Sequence, residues 1–241
     1  MTWLRRLGSG TGSSRLVCLP YAGGGGSIFL PWNSWLPPDV ELWVADLPGR
    51  EHRMIEEPVR EIAVVVDVLA EQLCRDAMPT IVFGHSLGAL LAFELARRLQ
   101  ELDRPVDRLA VSGMAAPQTL TPHPSPTDEE ILSDLQRLGV APREFFSDPD
   151  LIELVMPGLR ADYRMALGYR YHDGPKLTSK VLAMGGDADP DVLGGRLEAW
   201  AEQTTAECEI RLWEGGHMFL LGVPEELSCF VVDSHSQSMK G

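Results

Sequence analysis

The stretch TIVFGHSLGALLAFELARRL, from Thr80 to Leu99, places one polar turn between two apolar patterns. Its first five residues are rich in β-branched and aromatic side chains and predict a buried strand. The leucines, alanines and phenylalanine after Gly88 line one face of a predicted helix. Gly84 and Gly88 flank Ser86 at two residues on either side. The stretch therefore predicts a strand that turns sharply into a helix and presents the Ser86 hydroxyl at the turn.

Strands and helices alternate along the rest of the chain. Apolar runs predict further strands over residues 16–20, 41–45, 106–113, 180–186 and 208–216. Residues 59–77 predict a helix, because their length and polar positions outweigh their valines. This alternation predicts an α/β fold with a mainly parallel central sheet flanked by helices. The chain has no internal repeat and no long linker, so we expect a single domain over residues 1–241.

Residues 115–173 break this alternation, since they contain no segment that predicts a strand. After a proline-rich loop, Thr127 and Glu130 have the spacing of a helix N-terminal capping box, and Gly139 predicts where that helix ends. One or two further helices follow, with an interruption expected near Pro157. A helical insertion at this place would form a lid over the carboxyl edge of the sheet, and an additional packing layer is the alternative.

Composition and charge restrict the class of protein. The chain is 44% hydrophobic and 23% charged, which is typical of a soluble globular protein. No apolar run approaches the roughly 18 residues of a membrane span, and no signal peptide is evident, so we expect a cytoplasmic protein. The net charge of −14 argues against nucleic acid or a membrane as a partner. The four cysteines are scattered without metal-ligand spacing.

A serine hydroxyl is a weak nucleophile and requires a base that an acid holds in place. Of the six histidines, His217 follows a predicted strand and a Gly-Gly turn near the C-terminus. The chain order serine, aspartate, histidine places the base at this position. His85 belongs to the turn around Ser86. The other histidines lie in loops or in the polar tail: His52, His123, His172 and His235.

The segment VLAMGGDADPDV ends a predicted strand and offers the carboxylates of Asp187, Asp189 and Asp191. We favour Asp189 as the acid that orients His217, because Pro190 stiffens the backbone that presents it. Asp187 is the alternative acid, although its position suits acceptance of hydrogen bonds from the amides of the turn.

Two backbone amides are candidates for stabilising an oxyanion next to Ser86. The Leu87 N–H lies at the N-terminus of the predicted helix, and the Ala22 N–H lies in the PYAGGGG loop after a predicted strand. The glycine run of this loop lacks the GKS/T ending of a P-loop and the pattern of a dinucleotide-binding loop. We therefore discount a phosphate-binding role for it.

Segments spread over nearly the whole chain match one family in the same order. They are LPYAGG (19–24), DLPGREHR (46–53), EEP (56–58), FGHSLGALLAFELARRL (83–99), RADY (160–163), GGDADPDV (185–192) and GGHMFLL (215–221). The chain resembles the type II thioesterases of the α/β-hydrolase fold, which accompany polyketide synthases and non-ribosomal peptide synthetases. The resemblance implies Ser86, Asp189 and His217 as the catalytic residues, with the Ala22 and Leu87 amides as the oxyanion hole.

The resemblance also implies a reaction and a partner. Such enzymes hydrolyse acyl groups from the phosphopantetheine arm of acyl or peptidyl carrier proteins, usually to remove aberrant or stalled units, and small acyl thioesters are further substrates. Because the arm arrives with the substrate, no cofactor or metal is expected. Three alternatives stay open: a thioesterase that releases a finished product or a medium-chain fatty acid, a general carboxylesterase, and a catalytically silent protein that binds carrier proteins.

Carrier proteins are generally acidic, as is this chain, so long-range attraction would not bring the two together. We hypothesise a local patch of arginine or apolar side chains at the entrance of the site. Its arginine candidates are Arg50, Arg53, Arg97 and Arg98. Apolar candidates for lining the path of the acyl group are Leu151, Leu154, Val155, Met156, Leu159 and Met165.

Overall fold

The protein is built around one sheet, in which one edge strand is antiparallel to its neighbour. A computed structural model describes residues 2–8 and 11–233. His235 therefore lies outside the described residues. The strands are β1 (Leu4–Leu7), β2 (Ser14–Leu19), β3 (Val40–Ala45), β4 (Thr80–His85), β5 (Arg108–Ser112), β6 (Lys180–Gly186) and β7 (Cys208–Trp213). In the described ranges their order is β1-β3-β2-β4-β5-β6-β7, with only β1 antiparallel to its neighbour. The predicted α/β class with a mainly parallel sheet is confirmed.

Helices cover both faces of this sheet. They are α1 (Ile62–Leu73), α2 (Leu87–Glu101), α3 (Asp128–Leu138), α4 (Pro149–Leu167) and α5 (Pro224–Asp233). Successive side chains of a strand point to opposite faces. Val17 and Leu19 of β2 pack with α1 and α2, whereas Leu16 and Cys18 pack with α5 and the 3-10 helix Gly26–Ser34. In the described ranges, no helix combines the length and the apolar character needed to cross a membrane.

The edge strand β1 is not predicted from the sequence. Leu4 and Leu7 are buried, while Arg5 and Arg6 between them form ion pairs with carboxylates of β3 and the loop after it. Four residues that include two adjacent arginines are too few to show a strand period. The strand forms because β3 offers it a hydrogen-bonding edge, which only the tertiary structure reveals.

Residues 115–173 lie between β5 and β6 and contain α3 and α4 but no strand. The capping box of Thr127 and Glu130 is formed, and Gly139 ends α3 with a φ of +69°. Both features agree with the prediction from the sequence. The two helices pack against each other through Ile131 and Leu159 in a small hydrophobic cluster of their own.

The interruption predicted near Pro157 is wrong, since α4 is continuous across this residue. Pro157 lacks the N–H that would bond to the carbonyl four residues earlier. Packing on both sides offsets that loss, because Met156 and Leu159 are buried. Gly158 lies against the loop at Gly49, whose carbonyl oxygen would be 3.0 Å from a Cβ atom added at Gly158. Tertiary contacts thus keep α4 continuous at a proline, a residue that predicts a break.

Removal of the Thr127 cap should loosen α3. The Thr127 hydroxyl accepts the Glu130 N–H at 3.3 Å, and the Glu130 carboxylate accepts the Thr127 N–H at 2.7 Å. Because loss of an N-cap costs about 1 kcal/mol, Thr127→Ala should speed hydrogen exchange of the α3 amides about fivefold. Mass spectrometry measures this, with Thr127→Ser as a control that keeps the acceptor. Unchanged exchange in Thr127→Ala would contradict the role of the cap.

Candidate active site

Ser86 occupies a sharp turn between β4 and α2 and has a φ of +55° and a ψ of −121°. A residue with a side chain rarely adopts a positive φ, so the turn holds Ser86 under strain. A Cβ atom added at Gly84 would overlap the carbonyl oxygen of Gly88, and one added at Gly88 would overlap that of Leu19. The glycines at two residues on either side of Ser86 are therefore required by backbone packing.

His217 and Asp189 form a buried hydrogen-bonded pair. His217 Nδ1 lies 2.8 Å from Asp189 Oδ2, and the second carboxylate oxygen accepts the Asp191 N–H at 3.1 Å. Asp189 is 1% exposed and His217 is 7% exposed. With the Nδ1 proton directed to the carboxylate, His217 Nε2 is the ring atom that is able to accept a proton.

Asp187, the alternative candidate for the acid, joins the turn after β6 to the turn after β7. Asp187 accepts the Gly215 N–H at 2.9 Å, so its side chain serves the turn rather than His217. A Cβ atom added at Gly186 would overlap the carbonyl oxygens of Gly215 and Gly216. This close approach of the two turns is what allows Asp189 to reach His217.

His85 supports the His217 ring from the interior. Its Nδ1 lies 2.9 Å from Ser112 Oγ, and its ring centroid lies 5.0 Å from that of His217. Burial, together with the charge that His217 would carry, lowers the pKa of His85 well below its usual range. His85 is therefore neutral at pH 7. Sequence reasoning missed this contact, and no local pattern indicates it. Gly113 leaves room for the His85 ring, since a Cβ atom there would lie 2.5 Å from His85 Cε1.

The loop after β2 brings Ala22 to the same region. Ala22 is half-buried and lines a cavity together with Ser86 and His217. The next residue, Gly23, has a φ of +77°, which favours glycine. Leu87 is the first residue of α2, where the N–H groups have no partner within the helix. Ala22 thus borders the cavity of Ser86, and Leu87 follows Ser86 directly, so their N–H groups stay the candidates for an oxyanion hole.

The cavity shared by Ser86 and His217 has a volume of about 680 Å³. In the described part of the chain, the Ser86 hydroxyl forms no direct hydrogen bond with His217. Contacts between a nucleophile and its base are often long in the absence of substrate and shorten when substrate binds. The segment between β5 and β6 forms one wall of the cavity. Its lining residues include Leu135, Leu138, Tyr163, Ala166 and Leu167.

The apolar residues predicted to line the acyl path are not those that line the cavity. Leu151 and Leu154 are 38% and 55% exposed on the outer side of α4. Met156 and Leu159 are buried in the cluster between α3 and α4, and Met165 packs against the main core. Helical structure in this segment was predicted from the sequence, but the face of α4 that borders the cavity depends on how α4 packs in the fold.

Two of the four arginines proposed for a surface patch are buried. Arg50 is 7% exposed and bonds to Asp162, and Arg53 is 8% exposed and bonds to Glu56. The remaining candidates, Arg97 and Arg98, are half-buried and form ion pairs with neighbouring carboxylates. The hypothesis of an exposed patch that includes Arg50 and Arg53 is therefore wrong.

Residues 14–233 match the thioesterase domain family. The gramicidin S biosynthesis protein GrsT of Aneurinibacillus migulanus is 37% identical over 213 residues, which are 86% of this chain and 82% of the relative. Thioesterase PikA5 of Streptomyces venezuelae is 37% identical over 227 residues, covering 90% of this chain and 80% of the relative. The solved structure of the type II thioesterase BorB from the borrelidin biosynthetic cluster has a TM-score of 0.87 at 33% identity and covers 96% of each chain.

The contact between the β6 and β7 turns should control the reactivity of Ser86. Gly186→Ala should push the turns apart and slow labelling of Ser86 by a fluorophosphonate about 100-fold, since small displacements of catalytic groups have effects of this size. Gly216→Ala is the matched control, because a Cβ atom there would meet nothing within 4 Å. Similar labelling rates in the two variants would contradict the importance of this contact.

Proposed function

The chain belongs to the thioesterase domain family. We propose that it is a type II thioesterase, which acts on acyl groups attached to the phosphopantetheine arm of acyl or peptidyl carrier proteins. The observation that carries the proposal is the Asp189–His217 hydrogen bond, in a cavity that His217 shares with Ser86. The names of similar proteins support this setting, since one is a gramicidin S biosynthesis protein and another is a type II thioesterase from a borrelidin biosynthetic cluster.

In the first half-reaction, Ser86 becomes acylated. His217 Nε2 takes the proton of the Ser86 hydroxyl while Oγ bonds to the thioester carbonyl carbon. Asp189 accepts the Nδ1 hydrogen bond and stabilises the imidazolium that forms. The C–S bond then breaks, and His217 gives its proton to the departing pantetheine sulfur. The products of this step are the free thiol and an acyl ester on Ser86.

In the second half-reaction, water releases the acyl group. His217 takes a proton from a water molecule, whose oxygen attacks the ester carbonyl carbon. The bond between that carbon and Ser86 Oγ breaks, and the proton returns from His217 to Oγ. The sum of both steps converts a thioester and water into a carboxylic acid and a thiol, so the chemistry requires no cofactor.

Both half-reactions pass through a tetrahedral oxyanion. In the proposal, the Ala22 and Leu87 N–H groups donate hydrogen bonds to this oxygen. Removal of one such donor typically costs about 10²- to 10³-fold in kcat. The positive end of α2 adds to the stabilisation, because the Leu87 N–H lies in the first turn of this helix.

The proposed biological role is the removal of aberrant or stalled acyl units. A thiolate leaves readily, so selection among acyl groups depends on which of them the cavity admits. A cavity of about 680 Å³ is of the size that accommodates a small molecule. Since α3 and α4 supply one of its walls, we propose that these helices form a lid that sets the accepted acyl size.

The two carboxylates of the β6 turn provide a matched test of the triad. Asp189→Asn should lower kcat on a small acyl thioester about 10³- to 10⁴-fold, because the histidine loses its orientation. Asp187→Asn should retain most of the activity, since its amide oxygen still accepts the Gly215 N–H. The measurement is steady-state hydrolysis of an acyl N-acetylcysteamine. A larger loss in Asp187→Asn would assign the acid to Asp187.

A substrate panel tests the proposed function against its alternatives. Acyl chains of increasing length are presented on a carrier protein, on coenzyme A and on N-acetylcysteamine, with parent enzyme and Ser86→Ala. We expect the parent to have its highest kcat/KM on short acyl groups of the carrier protein, and Ser86→Ala to be inactive.

Other outcomes of this panel would contradict the proposal. A preference for long or product-like chains would indicate a releasing thioesterase, and equal rates on matched oxygen esters would indicate a carboxylesterase. No hydrolysis of any thioester by the parent would indicate a silent protein that binds carriers.

A further inference from the structure

The PGRE and RADY segments of the sequence meet in a buried ion pair. Arg50 Nη1 and Nη2 donate to the two carboxylate oxygens of Asp162, each at 2.8 Å. The Asp162 side chain is fully buried, and that of Arg50 is 8% exposed. Because burial removes both charges from water at a large cost, a pair of this kind is weak evidence for a role in stability. Its other contacts indicate what it does.

Asp162 also binds the loop that carries Ala22. The Gly23 N–H donates to Asp162 Oδ2 at 2.8 Å, and Arg50 Nη1 donates to the Gly24 carbonyl at 3.3 Å. The ion pair therefore contacts the backbone at both residues that follow Ala22. Loop and ion pair form one hydrogen-bonded unit.

These contacts hold the backbone on both sides of Ala22. The Tyr21 carbonyl lies in the same peptide plane as the Ala22 N–H, and it accepts the Gly24 N–H at 2.9 Å. The Gly23 N–H, which Asp162 binds, lies in the next peptide plane. With both planes held, the direction of the Ala22 N–H is set.

The helix α4 supplies both Asp162 and part of the cavity wall. Leu159, three residues before Asp162 on the same helix face, packs against Gly23, where an added Cβ atom would lie 2.7 Å from Leu159 Cδ2. Tyr163, the residue after Asp162, lines the cavity. A displacement of α4 would therefore be transmitted to the loop of Ala22.

We infer that Asp162 is a positioning residue for the oxyanion hole, which acts through the Gly23 N–H, and that Arg50 holds its carboxylate in place. This inference rests on the proposed role of the Ala22 amide. Orientation of a donor that acts in the transition state raises kcat and leaves ground-state binding unchanged. A pair that only supported the fold would change the amount of active enzyme and not the activity of each site.

Two double variants separate the hydrogen bond to Gly23 from the packing of the ion pair. Arg50→Met/Asp162→Leu keeps a buried apolar contact, an exchange that buried ion pairs often tolerate, but it removes the acceptor. Arg50→Gln/Asp162→Asn also removes both charges and keeps an amide oxygen that is able to accept the Gly23 N–H. Arg160→Gln/Asp128→Asn disrupts an exposed ion pair between α4 and α3 and is the control.

The measurements are kcat per titrated site, KM on an acyl N-acetylcysteamine, and affinity for a matching trifluoromethyl ketone, which forms an oxyanionic adduct with serine. Fluorophosphonate titration counts the active sites. For Arg50→Met/Asp162→Leu we expect kcat and ketone affinity to fall about 10- to 100-fold, with KM close to that of the parent. Arg50→Gln/Asp162→Asn should lose clearly less than Arg50→Met/Asp162→Leu, because it keeps an acceptor for the Gly23 N–H although it loses the two-oxygen contact. The control should have values near those of the parent.

Several results would overturn the inference. One is kcat and ketone affinity close to those of the parent in Arg50→Met/Asp162→Leu. Another is an equal loss of kcat in Arg50→Met/Asp162→Leu and Arg50→Gln/Asp162→Asn. A third is a loss of total activity that is explained by fewer titrated sites. Arg50→Lys keeps the charge but cannot reproduce the two-oxygen contact, so it should show an intermediate loss of kcat, and it replaces the first variant if that one does not fold. If the parent hydrolyses no thioester, the proposed function fails, and the ketone affinities still decide the role of Asp162.

Discussion

The close packing of β4, α2 and the end of β2 requires glycine at positions 84 and 88. A Cβ atom added at Gly84 or Gly88 would overlap a backbone carbonyl oxygen. The close approach determines where Ser86 lies. It holds Ser86 at a φ of +55°, at the N-terminus of α2 and beside the loop that follows β2. The nucleophile candidate is thus placed by backbone packing, and the polar groups around it are placed relative to that turn.

The parallel sheet brings the other groups of the site to the same edge. Strands β2, β4, β6 and β7 run in one direction, and the segments after them carry Ala22, Ser86, Asp189 and His217. Sites of parallel α/β sheets generally lie at these carboxyl ends. The segment between β5 and β6 then adds α3 and α4 as a wall. Because Asp162 of α4 accepts the Gly23 N–H, this wall and the loop of Ala22 are held together by a hydrogen bond.

The sequence was sufficient to predict those side chains of the site that lie in the turn directly after a strand. The alternation of apolar strands and helices predicted the sheet, and the turn residues after the strands predicted which side chains meet. Asp189 contacts His217, whereas Asp187 bonds to the Gly215 amide. Contacts between distant segments were not predictable in this way. Arg50 was expected at the surface, but its partner Asp162 lies 112 positions further along, and no local pattern indicates such a pair.

Detection of an acyl group on Ser86 tests the role of this residue most directly. The enzyme is mixed with an acyl carrier protein, quenched within milliseconds, digested and analysed by mass spectrometry. We predict a transient acyl adduct on the peptide that contains Ser86, formed at a rate that accounts for kcat and absent from Ser86→Ala. Thioester hydrolysis without an adduct on this peptide, or with an adduct on another residue, would show that the turn between Gly84 and Gly88 does not present the nucleophile.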